Sequence, residues 1–139
     1  MPKPAPSDAP VRSDSDCVFV YGSLMRGFDL HHHVASASFV STATVPGALY
    51  LAGAYPGMVE GSGTVHGEVY RFDDVAVALE VLDEVEEYDP LDAPSSEYVR
   101  VLRSARLDKD GSERLTWLYL YNRDVKGLVR IKSGDWRDR

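Results

Sequence analysis

Two stretches of the chain carry residue types suited to chemistry. One is a glutamate set into an apolar helical stripe, and the other is a glycine-serine turn that follows a buried strand. Over residues 73–88 the apolar side chains recur at helical spacing, with Asp73 or Asp74 placed to cap the N-terminus. An α-helix advances about 100° per residue, so with Val75 at zero Leu79 falls at about 40°, Leu82 at about 340° and Ala78 at about 300°. Val85 and Val81 extend this stripe, while Glu80, Asp83, Glu84 and Glu87 form a polar face. Glu86 breaks the pattern, at about 20° between Val75 and Leu79. Two readings stand. The helix frays before Glu86, or its carboxylate reaches back to water. Alternatively, Glu86 sits in a low-dielectric pocket that raises its pKa, an effect the negative end of the helix dipole reinforces. A carboxyl group titrating near neutrality can move protons.

The second stretch is Tyr21-Gly22-Ser23-Leu24, at the end of the apolar run 17–21. Glycine lets backbone approach a ligand closely, and successive N–H groups there can form an anion nest. The same four residues also suit an ordinary turn. A Gly-x-Ser-x-Gly nucleophile elbow is absent, because Tyr21 and Met25 stand where glycine is required. Gly61-Ser62-Gly63 leads into strand-like residues, which does not suit phosphate cradling. His31, His32 and His33 diverge by about 100° each on a helix and share one ion poorly. They read as a solvent-facing loop, with a metal site through His66 as the lesser reading. Arg100 has three uses open: Glu86, a substrate carboxylate, or a salt bridge on the strand surface. Cys17 and Trp117 read as core.

Positioning these residues requires a scaffold. Strands are expected at 17–21, 39–51, 64–72, 97–107 and 115–121, with a bulge or turn at Pro46-Gly47 and a hairpin turn at Asp110-Gly111. Residues 24–34 read as a loop into a short helix, and 53–63 as a loop. Five or six strands with one or two helices and no βαβ repetition indicate an α+β fold, a small mixed β-barrel flanked by helices. The chain has 139 residues, enough for one domain. Residues 1–16 hold four of the eight prolines and read as a disordered tail before a domain at 17–139. The formal net charge of −7 leaves no basic field for nucleic acid or for an anionic membrane surface. One cysteine excludes an intramolecular disulfide. No apolar run of membrane-spanning length or signal-peptide core occurs, so a cytoplasmic location is the expectation.

An ordered set of motifs now stands out: Tyr21-Gly22-Ser23-Leu24, Leu82-Asp83-x-x-Glu86-x-Tyr88, Tyr98-x-Arg100 and Ser133-Gly134-Asp135-Trp136. Tyr55-Pro56-Gly57 and Gly67-Glu68-Val69-Tyr70 share the same texture. Together they resemble the γ-glutamylcyclotransferase superfamily, in its AIG2-like and γ-glutamylamine cyclotransferase branch, over residues 18 to 136. The resemblance implies a barrel with a cavity at its mouth and Glu86 as general acid/base. It implies that the Tyr21–Leu24 loop holds the glutamyl end of a small-molecule substrate, flanked by Val20 and Met25, with Tyr119 or Tyr121 as a pocket wall. One departure is Glu87, where that family usually has glycine after the glutamate; the helical wheel turns it to solvent.

The implied reaction needs no protein nucleophile, metal or cofactor. A γ-glutamyl amide carries its own α-amine, which can close a five-membered ring on the γ-carbonyl and release 5-oxoproline and an amine. The protein then has to move protons and orient the chain. Two further readings remain: a binding module for a γ-glutamyl metabolite or a protein partner, and a hydrolase using Ser23. The leaving amine and the oligomeric state are not legible.

Overall fold

The computed structural model describes residues 16–139. The tail expected at residues 1–16 therefore lies outside the described residues, apart from Asp16. The fold is built on six strands and one α-helix: β1 (Cys17–Val20), β2 (Ser38–Ala52), β3 (Tyr55–Arg71), α1 (Val75–Val85), β4 (Tyr98–Leu107), β5 (Glu113–Tyr121) and β6 (Val129–Arg130). Strands β3-β1-β5-β4-β2 lie side by side, and pairing of β2 with β3 closes them into a five-stranded barrel. Neighbours are antiparallel except β1 and β5, which run parallel through Val18 and Trp117. β6 adds to the far end of β2. The α+β mixed barrel expected from the residue pattern is the architecture found.

All four residues of β1 are buried, which explains an apolar run without alternation. The bulge expected at Pro46-Gly47 appears as a register shift between Pro46 and Ala48. The Asp110-Gly111 turn closes β4 onto β5, with Gly111 at φ 75° and Asp110 Oδ1 accepting the Ser112 amide at 2.9 Å.

The loop expected at 53–63 is instead largely strand. β3 begins at Tyr55, directly after a two-residue turn in which Gly53 takes φ 71°. Cross-strand pairing with β2 overrides the turn-forming composition. Gly57 belongs in that strand for a packing reason, since a Cβ there would lie 2.7 Å from the Tyr121 ring. Only residues 60–63 stand outside the ladder, exposed between paired Val59 and Thr64.

The helix is also shorter than its periodicity suggests, at Val75–Val85 rather than 73–88. Asp74 caps it, accepting the Val77 amide at 3.3 Å. Val75, Leu79 and Leu82 face the barrel, whereas Val81 is exposed, against expectation. The helix must stop early, because the Pro90 ring would clash with the carbonyl four residues before it. It stops in a Schellman turn: Tyr88 N–H donates to the Asp83 carbonyl at 2.8 Å and Glu87 N–H to the Glu84 carbonyl at 3.2 Å. Glu87 holds the left-handed position of this turn at φ 54°, where glycine is favoured. Asp83, expected on the solvent face, is instead largely buried, because Arg100 of β4 supplies its counter-ion at 3.0 Å.

Residues 22–34 return over the barrel mouth and end in a short helix, a single 3-10 turn at His31–His33. Glu68, buried in β3, anchors them by accepting the Arg26 amide at 3.0 Å and the Tyr70 hydroxyl at 2.9 Å. Trp136, near the C-terminus, is buried.

A left-handed φ costs a residue with a Cβ roughly 1 kcal/mol. The E87G variant is therefore expected to melt about 4 °C higher in a calorimetric scan. An unchanged or lower Tm would mean that the Glu87 side chain offsets the strain.

Candidate functional site

β1 and β5 run parallel, so their C-terminal ends emerge at the same end of the barrel. β4, antiparallel to β5, begins there, and so does β3, which extends past the end of β1. The end of α1 and the 22–34 loop close over this rim. Between them lies a cavity of about 440 Å³. Its wall comprises Phe19 to Leu24 from β1 and its loop, Leu30 and His33 from the return, Tyr55 and Pro56 from β3, Val85 to Glu87 from the helix end, and Glu97, Tyr98 and Tyr119.

The loop wall depends on Gly22. A Cβ at that position would lie 2.6 Å from Pro56 Cγ, so any side chain would displace the loop. Gly22 and Ser23 use their carbonyls to fold the loop, accepting Met25 N–H at 3.0 Å and Leu30 N–H at 3.1 Å. Among the described residues no acceptor meets the amides of Gly22, Ser23 or Leu24. Three successive free N–H groups at a cavity form a donor surface suited to an anion.

Glu86, the C-terminal cap residue of α1, supplies the opposite character. It is partly exposed and lines the cavity, yet no hydrogen bond or ion pair among the described residues reaches its carboxylate. Burial, aided by the charge of Glu97, pushes its pKa from 4.5 up to about 7. Burial also drives the hydroxyls of Tyr21 and Tyr98 well up, and the charge of Glu86 pushes them further. Burial and the hydrogen bond to Asp83 raise Tyr119 likewise. The phenols are thus neutral and the carboxyl is the group that titrates near pH 7. His33 is lowered by burial and by its neighbour His32, which leaves it uncharged at that pH.

Of the residues expected at the site, Val20, Tyr21, Gly22, Ser23, Leu24, Glu86 and Tyr119 line this one cavity. Three others do not. Met25 is fully buried beneath the loop. Tyr121 covers Gly57 and packs edge-on against Tyr98 at 5.4 Å. Arg100 bonds both oxygens of Asp83, at 3.1 and 3.0 Å, rather than Glu86. Glu87 is exposed, as the wheel placed it, and borders the rim of the cavity. Tyr98, Glu97, Tyr55, Pro56, Leu30 and His33 were not foreseen on the wall. Strand alternation placed Tyr98 on the same face as Arg100, which could have flagged it. Leu30 and His33 reach the cavity through loop closure, which has no sequence signature. His31 does not face a metal site, since its Nδ1 donates to the Leu24 carbonyl at 2.9 Å. Among the described residues no three metal-ligating side chains cluster, and no hydrogen bond joins Ser23 to a histidine.

Comparison with known proteins identifies the family and the fold. The family model for γ-glutamyl cyclotransferase, AIG2-like, matches residues 18–138. The γ-glutamylcyclotransferase family protein YtfP of Escherichia coli K12 is 41% identical over 123 residues, 88% of this chain and 96% of that protein. The solution structure of E. coli ytfP superposes with a TM-score of 0.60 at 37% identity, over 88% of this chain and 99% of that one. The γ-L-glutamyl-butirosin B γ-glutamyl cyclotransferase of Niallia circulans is 30% identical over 122 residues, 86% of this chain and 74% of that enzyme. An AIG2-like protein from Mus musculus shares the fold, with a TM-score of 0.69 at 23% identity over 86% of this chain and 88% of that one. A closed barrel and a family match over residues 18–138 lead to one assignment: this chain belongs to the AIG2-like γ-glutamyl cyclotransferase family.

Proposed function

We propose that the protein converts a γ-glutamyl amide into 5-oxoproline and a free amine, with Glu86 as the group that moves protons. The observation that carries this reading is the unpaired Glu86 carboxyl, titrating at about 7, in one cavity with the free amides of Gly22, Ser23 and Leu24. The N. circulans relative, whose name specifies γ-glutamyl cyclotransfer on a γ-glutamyl compound, supports the reaction class.

The steps follow from that arrangement. The Glu86 carboxylate takes a proton from the substrate's α-ammonium group and frees its lone pair. The nitrogen attacks the γ-carbonyl carbon and closes the ring, and the carbonyl oxygen becomes an oxyanion. Glu86 returns its proton to the amide nitrogen as the carbon–nitrogen bond breaks. A second proton follows the same route from the ring nitrogen, leaving 5-oxoproline and an ammonium product. No bond forms between substrate and protein, in keeping with the missing nucleophile elbow. The cavity holds the chain bent for ring closure.

A panel of γ-glutamyl amines assayed for 5-oxoproline tests the reading. The E86Q variant is expected to fold and to lose about 10²- to 10⁴-fold in turnover. A panel without product, or an E86Q variant as active as the parent, would overturn it. Because the reaction begins with the carboxylate, kcat/KM should climb with pH through about 7, in line with the Glu86 pKa. An acid limb centred near 4.5 would mean that Glu86 is solvated when it works.

The same carboxyl links stability to pH. Its folded pKa of about 7 exceeds the ordinary 4.5, so the folded state binds the proton more tightly. The associated stability is fully present below the unfolded value and is lost as pH rises through about 7. Glutamine carries no such dependence. In denaturant titrations E86Q should match the parent at acid pH and exceed it above neutrality, by on the order of 3 kcal/mol at most. Equal pH dependence in the two proteins would refute a desolvated carboxyl.

A further inference from the structure

Four phenols line the cavity; Tyr55 is exposed at the rim, and each of the other three gives its proton to the protein. Tyr21 Oη donates to the Tyr119 carbonyl at 2.6 Å, Tyr98 Oη to the Pro56 carbonyl at 2.8 Å, and Tyr119 Oη to Asp83 Oδ1 at 2.6 Å. A phenol has one proton, so these oxygens keep only lone pairs for a ligand. The Tyr21 oxygen already receives the Met58 amide at 3.4 Å. Among the described residues no donor meets the oxygens of Tyr98 and Tyr119. The ionised Glu86 carboxylate is likewise an acceptor without a donor. The Tyr98, Tyr119 and Glu86 oxygens therefore offer acceptors to the cavity, and the loop amides offer donors.

Asp83 decides this polarity at Tyr119. Arg100 Nη1 donates to both Asp83 oxygens, at 3.1 and 3.0 Å, and the guanidinium lies over the rings of Trp117, at 5.1 Å, and Tyr88, at 5.7 Å. Clamped in this way, the carboxylate presents Oδ1 to Tyr119 and can only accept. Asp83 also stands one helical turn before Glu86, and its carbonyl closes the turn that follows Glu86. One residue thus connects the helix end that carries the carboxyl to the strand that carries the phenol.

We propose that Asp83 is a positioning residue that fixes Tyr119 Oη as an acceptor, and that the Tyr119 and Tyr98 oxygens together with Glu86 receive the substrate's α-ammonium group. The inference rests on the γ-glutamyl reading above. An ammonium group has three N–H donors, which three acceptors match. Seated there, the proton that must leave lies beside the base, and the α-carboxylate faces the amides of Gly22, Ser23 and Leu24.

The test separates recognition of the ammonium group from general damage to the site. In D83N, Arg100 claims the amide oxygen, the amide N–H faces Tyr119, and the phenol proton turns into the cavity against the ammonium group. In Y119F the acceptor is removed and the Asp83–Arg100 pair remains. KM and kcat are measured for a γ-glutamyl amide, and Ki for the glutaric acid monoamide of the same amine, which lacks only the α-ammonium group. Both variants are expected to raise KM about tenfold, the loss of one charge-assisted hydrogen bond. The Ki is expected to stay within about twofold, because the deaminated analogue makes no such bond. A parallel rise in KM and Ki would assign Asp83 and Tyr119 a merely structural role and overturn the proposal, as would no change in either. If D83N fails to fold by circular dichroism, Y119F decides alone. A parent protein that forms no 5-oxoproline would remove the proposed function itself, an outcome distinct from active variants with unaltered KM.

Discussion

The structure turns on keeping a carboxyl group largely out of water without giving it a partner. Any nearby cation or cluster of donors would return Glu86 to an ordinary acid. The fold avoids this by satisfying its cation elsewhere. Arg100, the cation nearest in the motif, is held by Asp83 and lies over aromatic rings, and the three phenols direct their protons to carbonyls or to Asp83. Glu86 is left to burial and the charge of Glu97, both of which favour its protonated form.

That arrangement needs a helix that ends at one residue and no later. A longer helix would carry Glu86 on along the barrel surface. The Schellman turn, with Glu87 in a conformation that suits glycine, ends it at the rim instead. A strained residue beside a cavity is a common location for such cost. The local destabilisation is supported by the barrel, whose closure through β2 and β3 leaves the core strands no free edge.

The opposite wall relies on absent side chains. Gly22 meets Pro56, and Gly57 meets the Tyr121 ring, with no space for a methyl group at either contact. These contacts bring the loop amides to the cavity while their carbonyls fold the loop. The cavity thereby offers free amides and free acceptor oxygens together, which suits a zwitterionic ligand end.

Much of this was legible in the residues. Period-2 and period-3.6 patterns marked the strands and the helix, the apolar run at Cys17–Val20 marked a strand buried on both faces, and the ordered motifs singled out Glu86 and the Tyr21–Leu24 turn. The less legible parts depended on distant partners. Composition alone made 53–63 a loop, and pairing with β2 made most of it strand. A helical wheel put Asp83 and Glu87 in solvent; Glu87 is exposed, but Arg100 drew Asp83 inward. Met25, Tyr121 and Arg100 stand close in sequence to wall residues yet point elsewhere, and His33 arrives only through loop closure. The sequence by itself determined which elements form and which carboxyl is out of place. Tertiary structure alone decided what surrounds that carboxyl, because desolvation and hydrogen-bond direction are set by groups brought together across the barrel, not by neighbours along the chain.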